Sequence, residues 1–91
     1  MMFTERIKKL REEYQIPQRI LAAALEIDTA TYCKIEKGER KVKREQVLII
    51  AKQLKENEDE LINLWLAEQV YSVVKNEEHA NIVLNMVAQK L

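Results

Sequence analysis

The sequence predicts an all-α fold forming a single compact domain, and three observations carry that expectation. With one Gly and one Pro in 91 residues, it lacks the turn residues an all-β domain needs and has no composition suited to a flexible linker. Apolar residues recur three and four positions apart along most of the chain, the period of a helix with one buried face. Good helix-capping residues, Asp28 and Asn57, stand just before two of these stretches.

The first helix is drawn by Phe3, Ile7, Leu10 and Tyr14, a single apolar stripe, with its start at Met2 or Thr4. Ile16-Pro17 interrupts it, because the residue before a proline disfavours the helical region and proline suits the opening of a new helix. The second helix begins near Gln18. It is short and alanine-rich, with Leu21, Ala24 and Leu25 expected inside and Ala22 permitting close approach of a neighbour. Asp28 caps a third helix that runs to about Lys37, and Gly38 closes it in the left-handed conformation. Residues 39–43 read as a basic loop, followed by a fourth helix marked by Val47, Leu48, Ile50, Ala51 and Leu54. Asn57 and Glu60 suggest a capping box for a fifth helix, from Leu61 to about Lys75, which is apolar on more than one face. Asn76-Glu77-Glu78 repeats the capping logic before a sixth helical segment ending at Leu91, again apolar over a wide arc.

Charge is balanced in total, fifteen Lys plus Arg against fifteen Asp plus Glu, but unevenly spread. Residues 1–45 hold eleven basic and eight acidic side chains; residues 46–91 hold four and seven. The sharpest excess lies between Lys34 and Arg44, where six basic residues face only Glu36 and Glu39, a patch suited to a polyanion. If Ile27, Thr31, Tyr32 and Ile35 face inward on the third helix, the opposite face presents Thr29, Ala30, Cys33, Lys34 and Lys37, all small or basic. A helix of this kind, preceded by another across a very short turn, fits a helix-turn-helix, whose second helix enters the DNA major groove. Lys43 and Arg44 stand in the first turn of the fourth helix, where the helix dipole disfavours cations unless phosphates lie opposite.

The segment Gln18-Arg19-Ile20-Leu21-Ala22 through Ile27-Asp28-Thr29-Ala30-Thr31-Tyr32-Cys33-Lys34-Ile35-Glu36-Lys37-Gly38 resembles the phage-repressor/Cro-type (XRE-family) helix-turn-helix. The resemblance covers roughly residues 3–55 and extends, more loosely, to regulators encoded beside restriction-modification genes. It implies a lambda-repressor-like helix-turn-helix bundle with a C-terminal helical extension, acting as a sequence-specific transcriptional regulator, usually a repressor-type homodimer on an operator. By the same resemblance Thr29, Ala30 and Lys34 match base-reading positions, and Gln18, Lys37, Lys41, Lys43 and Arg44 match phosphate contacts. Arg11 and Glu36 match an ion pair. Two positions depart from the pattern: Glu26 stands where the family has a turn glycine, and Pro17 where it has a Ser or Thr cap.

Residues 1–56 are therefore expected to form the DNA-binding core, and residues 57–91 helices that pack on it and dimerise. In that tail Trp65, Tyr71, Val74, Val83, Met86, Val87 and Leu91 exceed what a small core can cover, which marks a homodimer interface in preference to pure core cover. The rival function is a protein-interaction or antitoxin-like module that uses the same tail on a partner protein.

Other chemistries find little support. One His, no Gly-framed Ser and a single Gly argue against a hydrolytic triad or a phosphate loop, so no enzyme is expected. Lone Cys33 gives no disulfide or Cys-x-x-Cys site, and a thiol-sensor role is the lesser reading. His79 beside Glu77 and Glu78 has no second histidine, so no metal is expected, nor any cofactor or small-molecule ligand. The longest run without charged residues, His79 to Gln89, is too short for a membrane span. No signal peptide is apparent after Arg6, Lys8 and Lys9, and the cytoplasm is the expected location.

Overall fold

The computed structural model describes residues 2–91, and its described residues form six helices and no strand. They are α1 (Phe3–Glu13), α2 (Gln18–Ala24), α3 (Thr29–Glu36), α4 (Arg44–Gln53), α5 (Glu58–Val74) and α6 (Ala80–Lys90). The fold is all-α. One core joins the first five: Phe3, Ile7 and Leu10 from α1; Leu21, Ala22 and Leu25 around α2; Tyr32 and Ile35 from α3; Val47, Ile50, Ala51 and Leu54 around α4; Leu61 and Ile62 from α5. α2 packs on α3 and α4, while α1 lies against α3 and α5. Buried Ala22 supplies the small contact surface that a close crossing needs.

The α1 stripe stops one residue earlier than its period suggests. Tyr14 is the C-cap of α1, where the helical repeat ends, and it is half exposed. α2 also differs in detail, since Ala22 is buried and Ala24 only partly so.

Four helix ends share one device. After α1, α2, α3 and α4 the chain takes a left-handed residue, respectively Gln15 (φ 55), Glu26 (φ 58), Gly38 (φ 77) and Lys55 (φ 54). Each is followed by an N–H bonded back to a carbonyl of the last turn: Ile16 to Arg11 (2.9 Å), Ile27 to Ala22 (3.0 Å), Glu39 to Lys34 (2.9 Å) and Glu56 to Ala51 (2.9 Å). These are Schellman closures, which satisfy otherwise orphaned carbonyls and fold the next residue inward. Ile16 and Ile27 accordingly pack against the core. Only one closure uses glycine, so the other three carry backbone strain of about 1 kcal/mol or more apiece.

The start of α5 is built differently from the expected box. Asn57 Oδ1 accepts from Glu60 N–H at 3.0 Å, but the Asn57 N–H bonds Glu56 Oε1 rather than the Glu60 side chain. Glu56 also takes Arg6 at 2.7 Å, tying α1 to the α4–α5 connection. α6 begins at His79 with no side-chain cap, so the acids before it do not repeat the capping seen at α5.

The two C-terminal helices separate in their burial. α5 enters the core through its first turns, whereas α6 has no buried residue. The molecule is correspondingly elongated, 41 × 23 × 22 Å. Among the described residues no helix is long and apolar enough to cross a membrane.

Candidate nucleic-acid interface

α3 is fixed at both ends by its own sequence. At the start, the Thr31 N–H donates to Asp28 Oδ1 at 2.7 Å, and hydrogen bonding from the Thr31 side chain and its N–H, with Lys34 and Arg40 nearby, holds the Asp28 carboxyl below its ordinary pKa. At the end, Gly38 and Glu39 close the helix onto Ile35 and Lys34. Glu26, in the turn between α2 and α3, takes the left-handed angle that glycine usually supplies there.

Tyr32 and Ile35 are fully buried, which turns the other face of α3 to solvent. Thr29, Ala30, Lys34 and Lys37 are exposed on it, and Cys33 is half-buried at its side. The acid of this helix, Glu36, is withdrawn from that surface. Arg11 grips its carboxylate with two N–H groups, at 2.7 and 3.1 Å, and Gln18 Nε2 donates to Oε1 at 3.1 Å. Arg11 also donates to the Ile16 carbonyl at 3.1 Å. The network thus links α1, the start of α2 and the end of α3. Burial pushes the Glu36 carboxyl up, but Arg11, the adjacent Tyr32 hydroxyl and Gln18 outweigh it and leave the group below its usual pKa. The Tyr32 hydroxyl lies beside the carboxylate without reaching hydrogen-bond geometry; burial there raises its own pKa far above the ordinary phenol value.

The loop after α3 gathers cations beside the exposed face. Its Arg40 N–H reaches back to the Lys34 carbonyl at 3.3 Å, and Arg40, Lys41, Lys43 and Arg44 are all exposed. Lys43 is the N-cap of α4; its N–H donates to the Gln46 side chain at 2.9 Å, so the cap is made without a side chain from Lys43 itself. The Arg44 guanidinium lies over the Trp65 ring, 5.7 Å from its centroid. Exposed positive groups therefore follow one another along the chain from Lys34 and Lys37 through the loop to the start of α4.

Residues assigned to a dimer interface divide into two groups. Val74 is buried within its own chain, and Trp65 packs against the core beneath Arg44. Tyr71, Val83, Met86, Val87 and Leu91 are exposed, joined by Leu66, Val70, Val73, Ile82 and Leu84. Arg40 is visible in the sequence as one more cation of the basic run, but nothing in the sequence places Trp65 next to Arg44. Among the described residues no three His, Cys, Asp or Glu side chains gather as a metal site.

Neither a curated protein nor a solved structure matches the chain. A family model does, over residues 4–65, a span that includes α1 to α4 and the part of α5 that enters the core. Helix pair, buried Arg11–Glu36 brace and outward α3 face all fall within that span, and the chain belongs to the helix-turn-helix domain family.

Proposed function

We propose that this protein is a sequence-specific transcriptional regulator that binds an inverted-repeat DNA operator as a homodimer. The observation that carries the reading is the outward face of α3, small and basic, continuous with the cations of the following loop. Eight residues make a rod about 12 Å long, and a helix, about 10–12 Å across with its side chains, fits a major groove about 12 Å wide. Lys34 donates to guanine O6 or N7, while Ala30 and the Thr29 methyl meet thymine methyl groups. Lys37, Lys41, Lys43 and Arg44 take phosphates on either side, and the amide end of α4 adds its own attraction for an anion. Gln18 serves as brace through Glu36 and as a phosphate donor through its remaining amide hydrogen.

The exposed apolar residues of α5 and α6 support self-association, since patches of that extent are uncommon on monomers. A twofold pair sets two α3 helices about 34 Å apart, one turn of DNA, and so calls for an inverted repeat. The same patch supports the alternative of a protein-interaction or antitoxin-like module. Selection from random duplexes at moderate salt tests the choice. Recovery of a palindrome, bound more weakly as salt rises, supports the regulator. No enrichment of any duplex, together with a chain that forms a stable heteromeric complex, supports the module.

A further inference from the structure

We propose that Trp65 is a positioning residue of the DNA contact: its ring holds the Arg44 guanidinium ready for a backbone phosphate, which makes α5 part of the nucleic-acid site. The proposal rests on the reading that Arg44 meets DNA, and adds how that contact is set and from where.

The three arginines with defined partners spend their charge differently. Arg6 and Arg11 give N–H donors to carboxylates, Glu56 and Glu36. Among the described residues no carboxylate lies within ion-pair distance of Arg44; its recorded partner is the face of Trp65, 5.7 Å away. A ring face attracts a guanidinium through its quadrupole yet accepts none of the in-plane hydrogen bonds. All the N–H donors of Arg44 therefore stay available to a phosphate, whereas a carboxylate in the same place would compete with it. Trp65 is suited to the task because its side chain also packs against the core while the arginine stays exposed. Arg44 also opens α4, where the helix dipole disfavours a cation, and the ring offsets part of that cost before any DNA arrives. An unheld arginine loses its rotamer freedom on binding; a stacked one has lost much of it already. The C-terminal extension thereby touches the DNA site, so changes along α5 reach the phosphate contact through one side chain.

A double-mutant cycle on a mixed-sequence duplex of about two helical turns tests this. Trp65→Leu is expected to weaken binding about two- to fivefold in the parent background. In an Arg44→Ala background it is expected to change nothing, and Trp65→Phe, which keeps a ring, recovers most of the loss. Equal losses in both backgrounds, or none in either, overturn the proposal. Trp65 also supports the core, so proton NMR of the unmutated chain gives a second reading that needs no variant: the Arg44 side-chain protons are expected upfield under the indole ring, and unshifted protons overturn the proposal too. Failure of the parent to bind any duplex is a different result. It defeats the DNA reading, and this proposal with it, while the upfield shift alone persists.

Discussion

Replacing Arg11 by Met keeps the apolar stem and removes the charge, leaving the Glu36 carboxylate inside the domain with little to oppose its burial. The side chains are 13% and 3% exposed, so solvent does little to screen the pair. Gln18 stays as a donor, but the two Arg11 hydrogen bonds and the nearest positive charge are gone. Stranding one member of a buried ion pair costs about 3–5 kcal/mol. A domain of this size has roughly 5–14 kcal/mol in all, so the variant loses a large share of its stability. Its Tm is expected to fall by at least about 12 °C. Substituting both partners, Arg11→Met with Glu36→Leu, leaves no charge to strand and is expected to recover most of the loss.

The pH dependence of that loss is the sharper test. In the parent, Glu36 is depressed below its ordinary value, so its stabilisation is present above the unfolded carboxyl pKa and disappears as pH falls through the folded one. In Arg11→Met the desolvation that already opposes the charged form wins, and the folded pKa moves above the unfolded value. Its sign then reverses, and protonation relieves the variant. The difference in unfolding free energy between parent and variant, from urea titrations at several pH values, is expected to shrink between about pH 7 and pH 4. A penalty below about 1 kcal/mol, or one that stays flat across that range, refutes the assignment of Glu36 as a buried, Arg11-dependent carboxylate.

Three further outcomes are expected. Gly38→Ala places a Cβ at φ 77 and costs about 1–2 kcal/mol, whereas Glu26→Gly relieves the same conformation and stabilises by up to about 1 kcal/mol; denaturant midpoints measure both. Lys34→Ala relaxes preference at one base of each half-site, while Lys41→Ala weakens all sequences alike and reduces the salt slope by about 0.9, as competitive binding across a set of duplexes at several salt concentrations reports. Met86→Glu with Val87→Glu shifts sedimentation toward monomer and leaves the circular-dichroism spectrum of the helices in place, because α6 carries no buried residue; unchanged sedimentation counts against self-association through this helix.

What the sequence disclosed and what it hid follow from the range of the interaction. Buried stripes are local, and Phe3, Ile7 and Leu10, or Tyr32 with Ile35, declare their faces by spacing alone. The outward face of α3 is then legible by subtraction, and Asp28 and Gly38 mark its ends because their side chains, or the lack of one, do the closing. Gln15 and Lys55 close α1 and α4 by the same backbone turn yet give no sign of it, since a Schellman closure is made by main-chain groups and glycine only lowers its cost. Trp65 was legible as an apolar surplus and not as a neighbour of Arg44, because that contact depends on how α4 crosses α5. The same distinction explains the charge pattern. A chain with no net charge offers a basic surface because acids such as Glu58, Asp59, Glu60, Glu77 and Glu78 fall in its C-terminal half and Glu36 turns its carboxylate to Arg11, while Lys34, Lys37, Lys41 and Lys43 stay exposed. Net charge counts residues, but a phosphate responds to the nearest unpaired ones within a Debye length of about 8 Å, and these are set by tertiary pairing.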